Sequence, residues 1–342
     1  MSWEHWLLAA FAVPAVGAAF YFSMRAEPPP KKNAGKEPSF ASRVPPSESE
    51  KTTQGAADKT PASPQGALPM DDFTPPDLPP PDESLLPLDM CYAVRLFGES
   101  AVAAAEIETL RARMRPAKSR NSYRLGFDEG AGQWRLASDL PSRYWIVAAP
   151  LADRGGPIDE SDIRRIDESA RAFAQKMKMR PLFPSAFEAI ENAARIDKFC
   201  ATADMFIELR LSGGACTAER VGEVMHLAGM TADGARGYVR RMHSEELFRG
   251  RVMPTPASAA RRTIIFEMDA PNITAPPRAF AEMMRAVRRA AHLLDMQITD
   301  PKGEIVDDER AAAMGGQLSL LASQMREFGA EPGGAIARLI FS

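Results

Sequence analysis

The stretch "TIIFEMDAPNITAPPRAFAEMMRAVRRAAHLLDMQITDPKGEIVDDER", Thr263 to Arg310, decides the fold class, because its hydrophobic period changes along its length. Ile264, Phe266 and Met268 alternate with Thr263, Ile265 and Glu267, the two-residue period of a strand with one buried side. Phe280, Met284, Val287, Ala291 and Leu294 then recur at three- and four-residue steps, which predicts a long amphipathic helix from about Arg278 to Leu294. Two short strands, Gln297 to Thr299 and Glu304 to Val306, flank Asp300, Pro301, Lys302 and Gly303, whose order suits a turn. Asp307 or Asp308 can cap a final helix whose buried stripe is Met314, Leu318, Leu321 and Met325. Strands between helices spell an α+β fold.

Upstream, a strand at Met205 to Leu211 precedes a helix at Ala218 to Ala228 and strands at Tyr238 to Met242 and Leu247 to Met253. The same order reads once more nearer the N-terminus. A strand at Cys91 to Phe97 and a helix at Ala101 to Met114 precede a hairpin of Tyr123 to Phe127 and Gln133 to Ala137. An apolar strand, Tyr144 to Leu151, and helices at Glu160 to Met179 and Glu188 to Phe199 complete this pass. The repetition of element order, at a spacing of roughly 115 residues, predicts an internal duplication, with one copy in 90–202 and the second in 203–342.

The first 25 residues read differently. Trp6 to Met24 carries no charge, and roughly 19 residues at about 1.5 Å each span the hydrocarbon core of a bilayer. Glu4 precedes this run and Arg25, Lys31, Lys32 and Lys36 follow it, opposite to a secretory leader. The expectation is a single-pass anchor with the N-terminus outside and residue 25 onward in the cytoplasm. From 26 to 89 the chain turns rich in Pro, Ser, Ala and charge, a composition that cannot offset its chain entropy and predicts a disordered linker. Leu68 to Leu88 mixes leucines with prolines and acids, which leaves a docking peptide open beside the spacer reading.

Chemistry is hard to find. The formal net charge of −3 over 342 residues supplies no basic field for nucleic acid. Cys91, Cys200 and Cys216 are odd in number and widely spaced, as in a reducing compartment. His5, His226, His243 and His292 lack metal-ligand spacing, Gly126, Gly130 and Gly132 fall in a hairpin, and Asp307 to Glu309 suit a helix start. No enzyme activity, metal or cofactor is expected.

"LAGM" at 227–230, "LFRGRVMP" at 247–254, "TIIFEMDAP" at 263–271, "AFAEMMRAVRRAAHLLDMQITD" at 279–300 and "EIVDDER" at 304–310 resemble the C-terminal domain of the ZipA-like cell-division proteins. The resemblance extends to the order of anchor, Pro-rich linker and cytoplasmic domain. It implies two ZipA-like domains, each an antiparallel sheet covered by helices on one face, with residues 90–202 the more divergent. It also implies a function: a septal adaptor in the bacterial inner membrane, N-terminus periplasmic and domains cytoplasmic, that binds the C-terminal peptide of the tubulin-like protein FtsZ on the open sheet face. Alternation assigns that groove to Phe206, Glu208, Arg210, Arg249, Arg251, Met253, Thr263 and Ile265, with Glu267 beside them. Trp145, Val147 and Ala149 form a second apolar candidate, equally explained by packing between the copies. The alternatives are a scaffold for another envelope protein and a small-ligand or enzymatic domain at the inner leaflet.

Overall fold

Tyr92, Val94 and Leu96 alternate as buried residues along strand β1 (Cys91–Val102), an interior strand of the first sheet. In register beside them on β4 (Ser142–Pro150) stand Ala149, Val147 and Trp145. The Tyr92 hydroxyl donates to Asp167 of α2 (Glu160–Met177) at 2.9 Å. Arg124 of β2 (Tyr123–Asp128), in the same row as Val147, binds Glu108 of α1 (Ala104–Arg113) at 3.0 Å. Both helices therefore cover this one side. Trp145, Val147 and Ala149 lie beneath them and offer no groove, a correction to their reading as a surface candidate.

The computed structural model describes residues 73–119, 121–214, 216–234, 237–253 and 262–342. The expected membrane helix and the expected linker up to residue 72 lie outside the described residues. Among the described residues no helix is long and apolar enough to cross a membrane.

The fold is α+β with antiparallel sheets. The first sheet has the order β3-β2-β4-β1-β7, with β3 at Gln133–Leu136 and β7 at Met179–Leu182; a small hairpin, β5 (Ala152–Asp153) and β6 (Gly156–Pro157), stands apart. A further helix, α3 (Ala186–Ala203), precedes the second sheet. That sheet comprises β8 (Phe206–Ser212), β9 (Thr231–Ala232), β10 (Tyr238–Met242), β11 (Glu245–Val252), β12 (Ile264–Asp269) and β13 (Gln297–Thr299), in the order β13-β8-β12-β11-β10-β9. Both sheets set their opening strand between the strand that precedes a long helix and the strand that follows it. Their hairpins differ: the earlier hairpin strand, β2, lies inside in the first sheet, and the later one, β11, in the second. The expected strand at 304–306 is a single bridge, Thr299 to Ile305.

Two helices cover one side of the second sheet, α4 (Ala218–Leu227) and α5 (Pro276–Leu294). Arg240, in register with Phe248, donates to the Gly229 carbonyl just beyond α4 (2.8 Å) and faces Glu282 of α5 at 3.9 Å, which identifies the covered side. Beside α5 packs α6 (Asp308–Phe328). Its cap is Asp307, whose side chain accepts from the Arg310 amide at 2.9 Å. Asp307→Ala should lower stability by about 1 kcal/mol, read by urea denaturation, because an N-terminal amide loses its acceptor.

Between the two sheets the chain closes on itself. Phe199 of α3 stacks on Phe328 of α6 with centroids 3.9 Å apart. The last helix, α7 (Ala335–Ile340), delivers Phe341 into full burial. Arg154, in the turn between β5 and β6, bonds Asp204 at 2.9 Å and Asp269 at 2.6 Å and sits 5.8 Å from the Phe341 ring. Burial works against its charge, yet the hydrogen bonds and charges of Asp269 and Asp204 prevail and hold the guanidinium above its usual value.

Candidate functional site

Strand alternation on the second sheet sends Leu209, Phe266 and Phe248 toward the helices and their neighbours outward. Two cross-strand rows result on the outer side. One is Arg251, Ile265, Arg210 and Thr299, on successive strands β11, β12, β8 and β13. The other is Val239, Arg249, Glu267 and Glu208, on β10, β11, β12 and β8. Met253, whose amide donates to the Thr263 carbonyl at 2.9 Å, extends the pattern past the end of β11. All eight residues expected from the sequence thus belong to one face.

The character of that face differs from an apolar groove. Ile265 is only 3% exposed, flanked in register by Arg251 and Arg210, whose stems shield it. Phe206, at 39%, is the prominent apolar side chain. The arginines are tied to carboxylates on the same sheet. Arg251 bonds Glu267 at 2.7 Å, and this bond holds its guanidinium above the usual value. Arg210 bonds Glu208 at 2.6 Å, and Arg249 pairs with Glu246 and, at 3.4 Å, with Asp233. Arg241 reaches Asp233 at 3.6 Å and Glu246 at 3.7 Å. Strand alternation sets the facing of each residue but carries no sign of Glu246 and Asp233, which enter through a β-bulge after Arg240 and a loop.

An anionic segment laid on this face would exchange one carboxylate for another at Arg210 or Arg251, with little net change in Coulomb energy. A gain must come from apolar contact at Phe206 and Met253. Among the described residues no group of three or more His, Cys, Asp or Glu is arranged to hold a metal ion. Cys91 and Cys200 are buried, and burial pushes both thiols up, Cys200 to about 12, which keeps them protonated and unreactive. No protein-family model matches the chain, and no curated protein matches it.

Proposed function

We propose that this chain is a membrane-anchored adaptor of the ZipA type. Residues 1–25 form a single span of the bacterial inner membrane, and the outer face of the second sheet takes the C-terminal peptide of FtsZ, tethering its filaments at the septum. The observation that carries the reading is the one-sided cover of that sheet: α4 and α5 lie on one side, while the other presents Phe206 and the half-exposed arginines Arg249 and Arg251 of β11 and Arg210 of β8. Most of the backbone of the three strands is paired with neighbouring strands, β8 with β13 only over Arg210–Ser212, so recognition on this face rests mainly on side chains. Each contact is weak, and a filament that offers many peptides to many tethered copies compensates by effective concentration.

Fluorescence anisotropy of a labelled FtsZ C-terminal peptide against the full-length chain in detergent micelles tests it. Phe206→Asp should weaken binding about tenfold, the loss of one central aromatic contact. Arg251→Glu should weaken it severalfold by setting an acid against the peptide. Binding untouched by both changes would move the site elsewhere, and no binding by the unaltered chain would remove FtsZ as the partner.

A further inference from the structure

The outer face of the first sheet is far more apolar than that of the second. Leu125, Phe127, Trp134, Tyr144, Ile146 and Ala148 share it by register, opposite to α1 and α2. Phe127 meets Trp134 and Tyr144 edge to face, at 5.3 Å and 6.1 Å. Leu125, Ile146 and Ala148 are fully buried although α1 and α2 both lie on the other side.

The segment that crosses there is Leu78 to Met90, which composition had placed in the linker. Its first fixed point is the sheet edge, where the Trp134 indole N–H donates to the Pro79 carbonyl at 2.7 Å. Its last is β1, three strands inward, where the Met90 carbonyl accepts from Leu151 at 2.9 Å. Between them it passes β2 and β4, and Leu86 and Pro87 are buried on the way.

The grip is uneven. From Leu86 onward the segment belongs to the core. Leu78 to Leu85 is held by the indole bond, by half-buried Leu78 and Pro81, and by a turn in which Leu85 donates to the Asp82 carbonyl at 2.9 Å. Beside it a hollow of about 700 Å³ opens against β3. Leu85, Leu136 and Leu140 line it and remain 36%, 41% and 52% exposed, an apolar surface left partly unfilled. An indole N–H aimed at a carbonyl between prolines, beside an aromatic wall, suits the polyproline II conformation, which has little entropy left to lose.

We propose that the outer face of the first sheet is a docking groove for extended proline- and leucine-rich segments, occupied here by the chain's own Leu78–Leu85, which a partner segment of the same chemistry displaces. Because it concerns the other sheet, it stands independently of FtsZ binding. Asp82 and Glu83 lie on the strap itself, so a displacing segment of the same chemistry is proline- and leucine-rich with acids interspersed. The strap continues directly into the fold and so competes at high effective concentration.

The probe is a fluorescein-labelled peptide of residues 76–86, titrated against the full-length chain in detergent micelles. Opening the strap by Leu78→Asp with Pro79→Gly, both outside the fully buried core, should tighten binding at least about tenfold by removing the internal competitor. Adding Trp134→Phe, which keeps a ring and loses the donor, should then weaken it about fivefold. In the unaltered chain, which needs no substitution to fold, an excess of unlabelled peptide should speed amide exchange at Glu83 to Leu85. No gain on opening the strap, or strap amides indifferent to the peptide, overturns the proposal. FtsZ peptide binding measured in parallel should be unchanged in every variant.

Discussion

Replacing Phe341 by alanine should destabilise the fold by about 3–5 kcal/mol, the range for deleting a fully buried aromatic ring where the surroundings cannot collapse into the space. Phe341 is 0% exposed, with its ring 6.1 Å from that of Phe199 and its carbonyl accepting from Asn272 Nδ2 at 3.0 Å. It joins side chains on both flanks of the junction, so the loss also uncouples them. Urea denaturation followed by far-ultraviolet circular dichroism should show a lower midpoint and a shallower slope, the mark of two transitions in place of one. Leu320→Ala, at a residue 44% exposed on α6, serves as the control and should stay within about 0.5 kcal/mol of the parent. A midpoint for Phe341→Ala equal to that control would deny the residue its sealing role.

Arg154→Met should cost about 2 kcal/mol. Removing the cation from a fully buried pair costs about 3–5 kcal/mol, and partial exposure screens that loss. Here the three side chains are 26%, 15% and 32% exposed for Arg154, Asp204 and Asp269. The variant removes the cation that the two carboxylates share. Adding Asp204→Asn should therefore recover a large part of the loss, which a purely steric defect would not allow. The cycle is read by thermal denaturation, and additive losses would show that the Arg154 contact to Asp204 is energetically idle.

The element order was legible because one-sided burial leaves a period in the sequence. Helix α5 carries ten buried positions along one stripe, and β8 alternates buried and half-exposed residues throughout. Legibility failed where burial is two-sided. β4 buries Trp145 through Pro150 without interruption, so its sequence has no alternation from which to read facing. The strand β7 leaves no mark in the sequence because the chain turns from α2 into it at Lys178 alone, with φ +53° and no glycine to mark the stop. The prolines and acids of residues 78–89 read as linker, yet Leu86 packs into the core and Pro87 is buried beside it. Composition averages over a window, and a few well-placed apolar side chains settle the matter locally. Alternation assigned every groove residue to its face, but whether an arginine on that face is already paired depends on Glu246 and Asp233, which a bulge and a loop bring in.

Four arginines and four carboxylates interlock on and around the outer side of the second sheet: Arg210, Arg241, Arg249 and Arg251 against Glu208, Asp233, Glu246 and Glu267. Such a mosaic is neutral in sum, and its field fades within about one Debye length, roughly 8–10 Å in ordinary salt. A visitor is therefore not drawn in from afar. Association should proceed at the unsteered pace of about 10⁵–10⁶ M⁻¹s⁻¹, almost insensitive to ionic strength, and the lifetime of each encounter rather than its frequency will govern how often the face is filled.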